Sequence, residues 1–192
     1  MENKQLLVII IAIAMMRVLP HPANFTPIAA LALWGGRYLN KKQALWVPIF
    51  IMVISDMFIG WDSIPMRIAV YSSLILAGIL GINLKKSKGI LPVARSVFAG
   101  SVLFFLITNA AVWAFTDMYS RNLQGLINCY TMAIPFFRNT LLGDAIYSTV
   151  LFGGLRLVKM MQNEKVLDNN LRGNINCISV WTGSRETNKQ QD

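Results

Sequence analysis

Val93-Ala-Arg-Ser-Val-Phe-Ala-Gly-Ser-Val-Leu-Phe-Phe-Leu-Ile-Thr-Asn-Ala-Ala-Val-Trp-Ala-Phe115 carries one charge, Arg95, near its start and is otherwise apolar, small or uncharged. At a helical rise of ~1.5 Å per residue, such a run is long enough to cross a hydrocarbon core ~30 Å thick. Its reading as a membrane span decides how the rest of the chain is read.

The same logic marks Gln5–Val18, Thr26–Leu39, Ala44–Gly60, Pro65–Leu84 and Ile134–Val158, which are separated by segments carrying Pro, Gly, Asn or charge. The expected fold is therefore all-α: six transmembrane helices in one domain over residues 1–159, with the first two short and tilted or partly irregular. Composition agrees, because 55% of the 192 residues are hydrophobic and only 14% charged, with a mean hydropathy of +0.50. Arg17 closes the first apolar run and no Ala-x-Ala-type cleavage site follows, so the run reads as an uncleaved first helix. After Met161 the chain turns Asn-, Gln- and charge-rich, which predicts a disordered cytoplasmic tail over 160–192.

The net charge of +9 does not form a basic stripe with interleaved aromatics, so nucleic acid is not an expected partner. Basic residues in short connections instead set orientation, since they accumulate on the cytoplasmic side. With the N-terminus inside, Lys4, Arg37, Lys41, Lys42, Lys85, Lys86, Lys88, Arg95, Arg156 and Lys159 fall on the inner side, against Arg17, Arg67, Arg121 and Arg138 on the outer. Both ends are thus expected inside. On this reading Trp34 and Trp46 mark an inner aromatic belt and Trp61 and Trp113 an outer one. Between the last two spans, Leu123, Leu126, Ile127 and Tyr130 recur at helical spacing and predict a short amphipathic helix on the outer surface.

Ionisable groups inside a span cost roughly 2.5–3.5 kcal/mol each on insertion scales and normally face a partner or a cavity. Arg17, Asp56, Asn109, Arg138 and Asn139 fall in the outer half of their spans and Asp144 in the outer half or near the midplane, and His21, Asn24 and Thr26 lie in the first outer loop. An outward-facing polar pocket is expected, with Asp56, Asn109, Arg138, Asn139 and Asp144 lining it and His21 and Asn24 in its lid. The competing explanation is structural, with Asp56 or Asp144 paired to Arg17 or Arg138 as interhelical glue. Ala77-x-x-x-Gly81 and Ser96-x-x-x-Gly100 are small-residue pairs of the kind that let helices approach closely, most simply within the bundle.

No Ser/His/Asp set, HExxH, P-loop or GxGxxG is present, and Cys129 and Cys177 lie far apart with no metal-ligand spacing. No cofactor or metal is expected. Cys129 reads as a small packing residue, and His21 as a solvated loop histidine rather than a ligand.

Asn24-Phe-Thr-Pro-Ile-Ala-Ala-Leu-Ala-Leu-Trp-Gly-Gly36, Ser55-Asp56, Ile107-Thr-Asn-Ala-Ala-Val-Trp113 and Gly125-Leu-Ile-Asn-Cys-Tyr-Thr-Met-Ala-Ile-Pro-Phe-Phe-Arg-Asn-Thr-Leu-Leu-Gly-Asp144 resemble a bacterial inner-membrane family known as a domain of unknown function, over about residues 5–158. In layout that family is similar to the S components of energy-coupling-factor transporters, six-helix subunits that capture vitamins or metals from outside; the solitary cobalamin-specific members are the nearest analogy. The resemblance implies a multi-pass protein of the bacterial inner membrane that binds a small-molecule substrate. It acts with a T component and ATPases or alone. The Ala-x-x-x-Ala docking face such subunits carry on the first helix is replaced here by Ala12-x-Ala14.

Three functions follow. The leading expectation is a non-enzymatic substrate-binding subunit for uptake of a vitamin-like compound or metal chelate. The second is a membrane scaffold or assembly protein without a small ligand. The third is a membrane enzyme using Asp56 and Asp144 as an acid/base pair, for which no nucleophile or metal set is supplied.

Overall fold

The computed structural model describes the backbone of residues 3–187 except 21, 23 and 88, and most side chains between residues 8 and 161. Among these residues six α-helices follow in order: α1 (Asn3–Val18), α2 (Ile28–Tyr38), α3 (Lys41–Ile59), α4 (Ile64–Asn83), α5 (Leu91–Phe115) and α6 (Leu123–Thr187), with a 3-10 turn at Leu84–Lys86. Among the described residues there is no strand. Among the described residues, three helical segments are long and apolar enough to cross a membrane: Lys41–Ile59, Ile64–Lys86 and Leu91–Phe115. Their outward sides are apolar, as at Phe50, Phe58, Ile68 and Phe98, each more than half exposed. That is what a lipid-facing surface requires, because lipid imposes no penalty on exposed hydrocarbon.

The chain divides into two units, 1–151 and 152–192. The first contains the bundle, and α2 is its centre. Ile28 and every residue from Ala30 to Gly36 are buried, so this helix is apolar on all sides and is enclosed rather than amphipathic. It packs chiefly on α4 and α3.

The α2–α4 crossing is set by glycines. A Cβ on Gly36 would collide with the Gly78 carbonyl oxygen and come within 2.7 Å of Gly81 Cα, and one on Gly81 would collide with the Leu33 carbonyl oxygen. Ala77-x-x-x-Gly81 therefore serves an internal contact, the small residues letting two backbones meet. Trp34, expected in an interfacial belt, is instead 1% exposed in this core, because that close approach makes α2 the innermost helix.

At the end of the bundle holding the α2–α3 connection, Lys85 Nζ donates to the Leu39 carbonyl (2.7 Å) and Arg37 Nη2 donates to the Ser87 carbonyl (3.0 Å). Cations here satisfy carbonyls that helix ends leave unpaired. The separate amphipathic helix expected after α5 is the first stretch of α6 instead. Asn122 Oδ1 accepts from the Gly125 N–H (2.7 Å) and caps the helix start, and Tyr130 Oη donates to the Leu106 carbonyl on α5 (2.7 Å).

Within the second unit, residues 152–187 are helical. The segment contains no proline, and Met160-Met-Gln-Asn-Glu-Lys-Val-Leu167 is built mostly from good helix formers.

Candidate functional site

The first unit contains a cavity of about 180 Å³ at the end of the bundle formed by the α1–α2 and α3–α4 connections. Asn24, Thr26, Ile28 and Ala29 border it from the first connection and the start of α2; Asp62, Arg67, Val70 and Tyr71 border it from the second connection and α4. Arg17, Met52, Asp56, Phe104, Thr140 and Asp144 bring in α1, α3, α5 and α6.

Asp56 sits one turn before the end of α3 and is 7% exposed. Arg17 Nη1 lies 2.6 Å from Asp56 Oδ1, and Tyr71 Oη donates to Asp56 Oδ2 at 3.0 Å. The same guanidinium nitrogen donates to Ser55 Oγ and to the Met52 carbonyl. Three helices, α1, α3 and α4, are thereby joined through one carboxylate, whose negative charge is balanced on the spot.

Asp144 is 3% exposed and accepts a hydrogen bond from Ser101 Oγ on α5 (2.7 Å). Among the described residues it has no ion-pair partner. It also borders a second, much smaller cleft with Ala29, Ala30, Ser96, Gly100 and Ser148, so it lies between the cavity and the packed α2–α5 region. Ser148, one turn further along α6, has a buried hydroxyl without a hydrogen-bond partner among the described residues.

Arg67 differs from Arg17. Its guanidinium stacks over the Trp61 ring, 4.8 Å from the centroid, and its Nε is buried with no acceptor. Among the described residues no carboxylate lies within ion-pair distance of it. The first turn of α2 borders the same space, and its N-terminal dipole end favours negative charge there.

Of the residues expected at the pocket, Asp56, Asp144 and Asn24 line this cavity. Asn24 adopts a left-handed backbone (φ 63°), a conformation asparagine tolerates better than most residues. His21 lies outside the described residues. Three of the expected residues do not border it. Asn109 turns its Nδ2 onto the Phe105 carbonyl of its own helix (2.7 Å). Arg138 is exposed and absent from the lining, as is Asn139. Helical geometry explains the last two: at ~100° per residue, Arg138 and Asn139 are turned roughly 120° and 140° from Asp144, whereas Thr140, four residues away, shares its face.

The cavity also enlists Arg67, Tyr71 and Asp62, which sequence reasoning did not assign to it. Arg67 and Tyr71 are spaced i, i+4 shortly after Ser63-Ile64-Pro65, a pattern that places both on one face near the start of a helix. Cys129, read as a packing residue, is 2% exposed and its thiol donates to the Asn109 carbonyl (3.5 Å). Among the described residues no group of three His, Cys, Asp or Glu side chains is arranged to hold a metal ion.

The chain belongs to a family of unknown function (DUF6580), whose model matches residues 1–167. No curated protein and no solved structure matches it.

Proposed function

We propose that this member of the DUF6580 family is a substrate-binding subunit of the bacterial inner membrane that captures a small molecule from the outer face for uptake. The observation that carries the reading is the convergence of Asp56 and Asp144, from different helices, on one cavity that also holds Arg17 and Arg67. Buried ionisable groups are costly in a membrane protein and persist where they face a partner or a water-filled path.

The topology in this reading is six passes with both ends in the cytoplasm. Helix α2, 11 residues long, spans only ~16 Å. The second pass is therefore completed by the irregular connection before it, whose Asn24 and Thr26 line the cavity. Irregular backbone is tolerated at membrane depth where it lines a cavity. The layout is that of an energy-coupling-factor S component, working alone or with a T component and ATPases. The cavity, about 180 Å³, is below the roughly 300–1,000 Å³ of drug-sized sites, which favours a compound far smaller than a cobalamin.

The test is purification in mild detergent followed by mass spectrometry of co-purifying small molecules, wild type beside Asp144→Asn. A compound held by the wild type and lost from the variant supports capture. No compound in either, together with unchanged uptake phenotypes in a deletion strain, overturns it.

A second reading, a scaffold without a ligand, is favoured by the completeness of the Arg17–Asp56–Tyr71 set, which needs nothing further to be satisfied. It predicts that Asp56→Asn lowers stability and that nothing co-purifies. An acid/base enzyme is supported least, since Asp56 is already engaged by two donors.

A further inference from the structure

We infer that the cavity takes a small zwitterion, its carboxylate on Arg67 and its ammonium on Asp144. This rests on the capture reading above and specifies the ligand class.

The charges of the cavity fall into two sets. Arg17 and Asp56 neutralise one another at 2.6 Å, with Tyr71 on the second carboxylate oxygen. That leaves the half-buried Arg67 and the buried Asp144, with Asp62 in the exposed connection at the rim. Arg67 is held from one side by Trp61, and its Nε is enclosed without an acceptor. A guanidinium stacked on an aromatic face keeps its planar fork free for bidentate capture of a carboxylate. Asp144 is enclosed with one hydrogen bond, from Ser101. A carboxylate has about four acceptor positions, so the group has capacity for the several N–H donors of an ammonium.

A ligand carrying only a carboxylate leaves Asp144 without a counter-ion, and one carrying only an ammonium leaves Arg67 so. Each case keeps an uncompensated charge in a low-dielectric space. A zwitterion answers both at once and leaves the net charge of the site unchanged. The volume of about 180 Å³ limits it to a compact molecule.

The experiment measures thermal unfolding of the full chain in detergent with three zwitterions of increasing length (glycine, β-alanine and γ-aminobutyrate). Propionate and ethylamine serve as single-charge counterparts, and mass spectrometry is run on the protein as purified. A ligand of the native state raises the unfolding temperature with concentration. The expected result is stabilisation by at least one zwitterion and by neither counterpart, with an apparent affinity reduced about tenfold or more in Arg67→Gln and in Asp144→Asn. Both variants must elute as the wild type does; if one fails to fold, the other decides.

Equal stabilisation by propionate or ethylamine overturns the assignment, as does an undiminished response in both variants. A co-purified compound with a single charge, lost in Asp144→Asn, overturns the zwitterion while leaving capture standing. No bound compound and no response to any probe overturns both.

Discussion

Arg17 and Asp56 meet at 2.6 Å across 39 positions of sequence and tie α1 to α3 at the rim of the cavity. Both side chains are largely enclosed, at 15% and 10% exposure, so each is the principal counter-charge of the other.

Removing one partner strands the other. Arg17→Gln and Asp56→Asn each leave an enclosed charge uncompensated, with an expected cost of about 3–5 kcal/mol. The double substitution removes both charges together and should cost less than the sum, with a coupling of roughly 0.5–3 kcal/mol. Chemical denaturation in detergent across the four-member cycle measures this. Strict additivity would show that the two side chains are not energetically coupled, whatever each contributes alone.

The α2–α4 crossing gives a second test, this time of packing. Gly36→Ala and Gly81→Ala each place a methyl group onto backbone of the facing helix, where backbone cannot step aside as a flexible side chain can. A loss of about 1–3 kcal/mol is expected for each. Gly100→Ala, on α5 with nothing within 4 Å of the added atom, should be neutral or stabilising by up to ~1 kcal/mol, as alanine is the better helix former. Unfolding temperatures of the three variants in one detergent decide the matter.

These two contacts show what the sequence could and could not reveal. Helices α3, α4 and α5 begin and end within three residues of the boundaries read from apolar runs, because bilayer-length hydrophobicity ended by proline, glycine or charge is a local signal. Which helix is central is not local. Trp34 suits an interface or a core equally well, and only the Gly36–Gly81 contact places α2 inside. At the site, Asp56 and Asp144 were legible because a carboxyl in an apolar run must be accounted for. Asn109 is harder to place from sequence because an asparagine can satisfy itself on its own helix, as this one does on the Phe105 carbonyl. Arg67 was hidden among the orientation-setting basic residues, since counting charges says nothing of which one lacks a partner.

The lining of the cavity separates residues that sequence alone grouped together. Arg138→Gln removes an exposed charge away from the cavity, so stability should stay within about 0.5 kcal/mol, and any co-purifying compound should be retained at wild-type occupancy. Asp144→Asn should lose that compound, because the carboxylate is exchanged for an amide beside the same Ser101 hydroxyl. Loss in Arg138→Gln with retention in Asp144→Asn would mean that the cavity described here is not the binding site.

The proposed topology is tested by where the two ends of the bundle face. Asp62 lies in the α3–α4 connection at the cavity end, whereas Ser87 follows the 3-10 turn at the other end, where Arg37 and Lys85 satisfy backbone carbonyls. If the basic connection faces the cytoplasm, the cavity must open outward. Single cysteines at these two positions, in a chain with Cys129 and Cys177 replaced by serine, allow labelling of intact cells with a membrane-impermeant maleimide. Asp62→Cys should label without permeabilisation and Ser87→Cys only after it. The opposite pattern would turn the cavity toward the cytoplasm and remove the basis for capture from outside, because a site reached only from within cannot collect an external compound without a further conformational state.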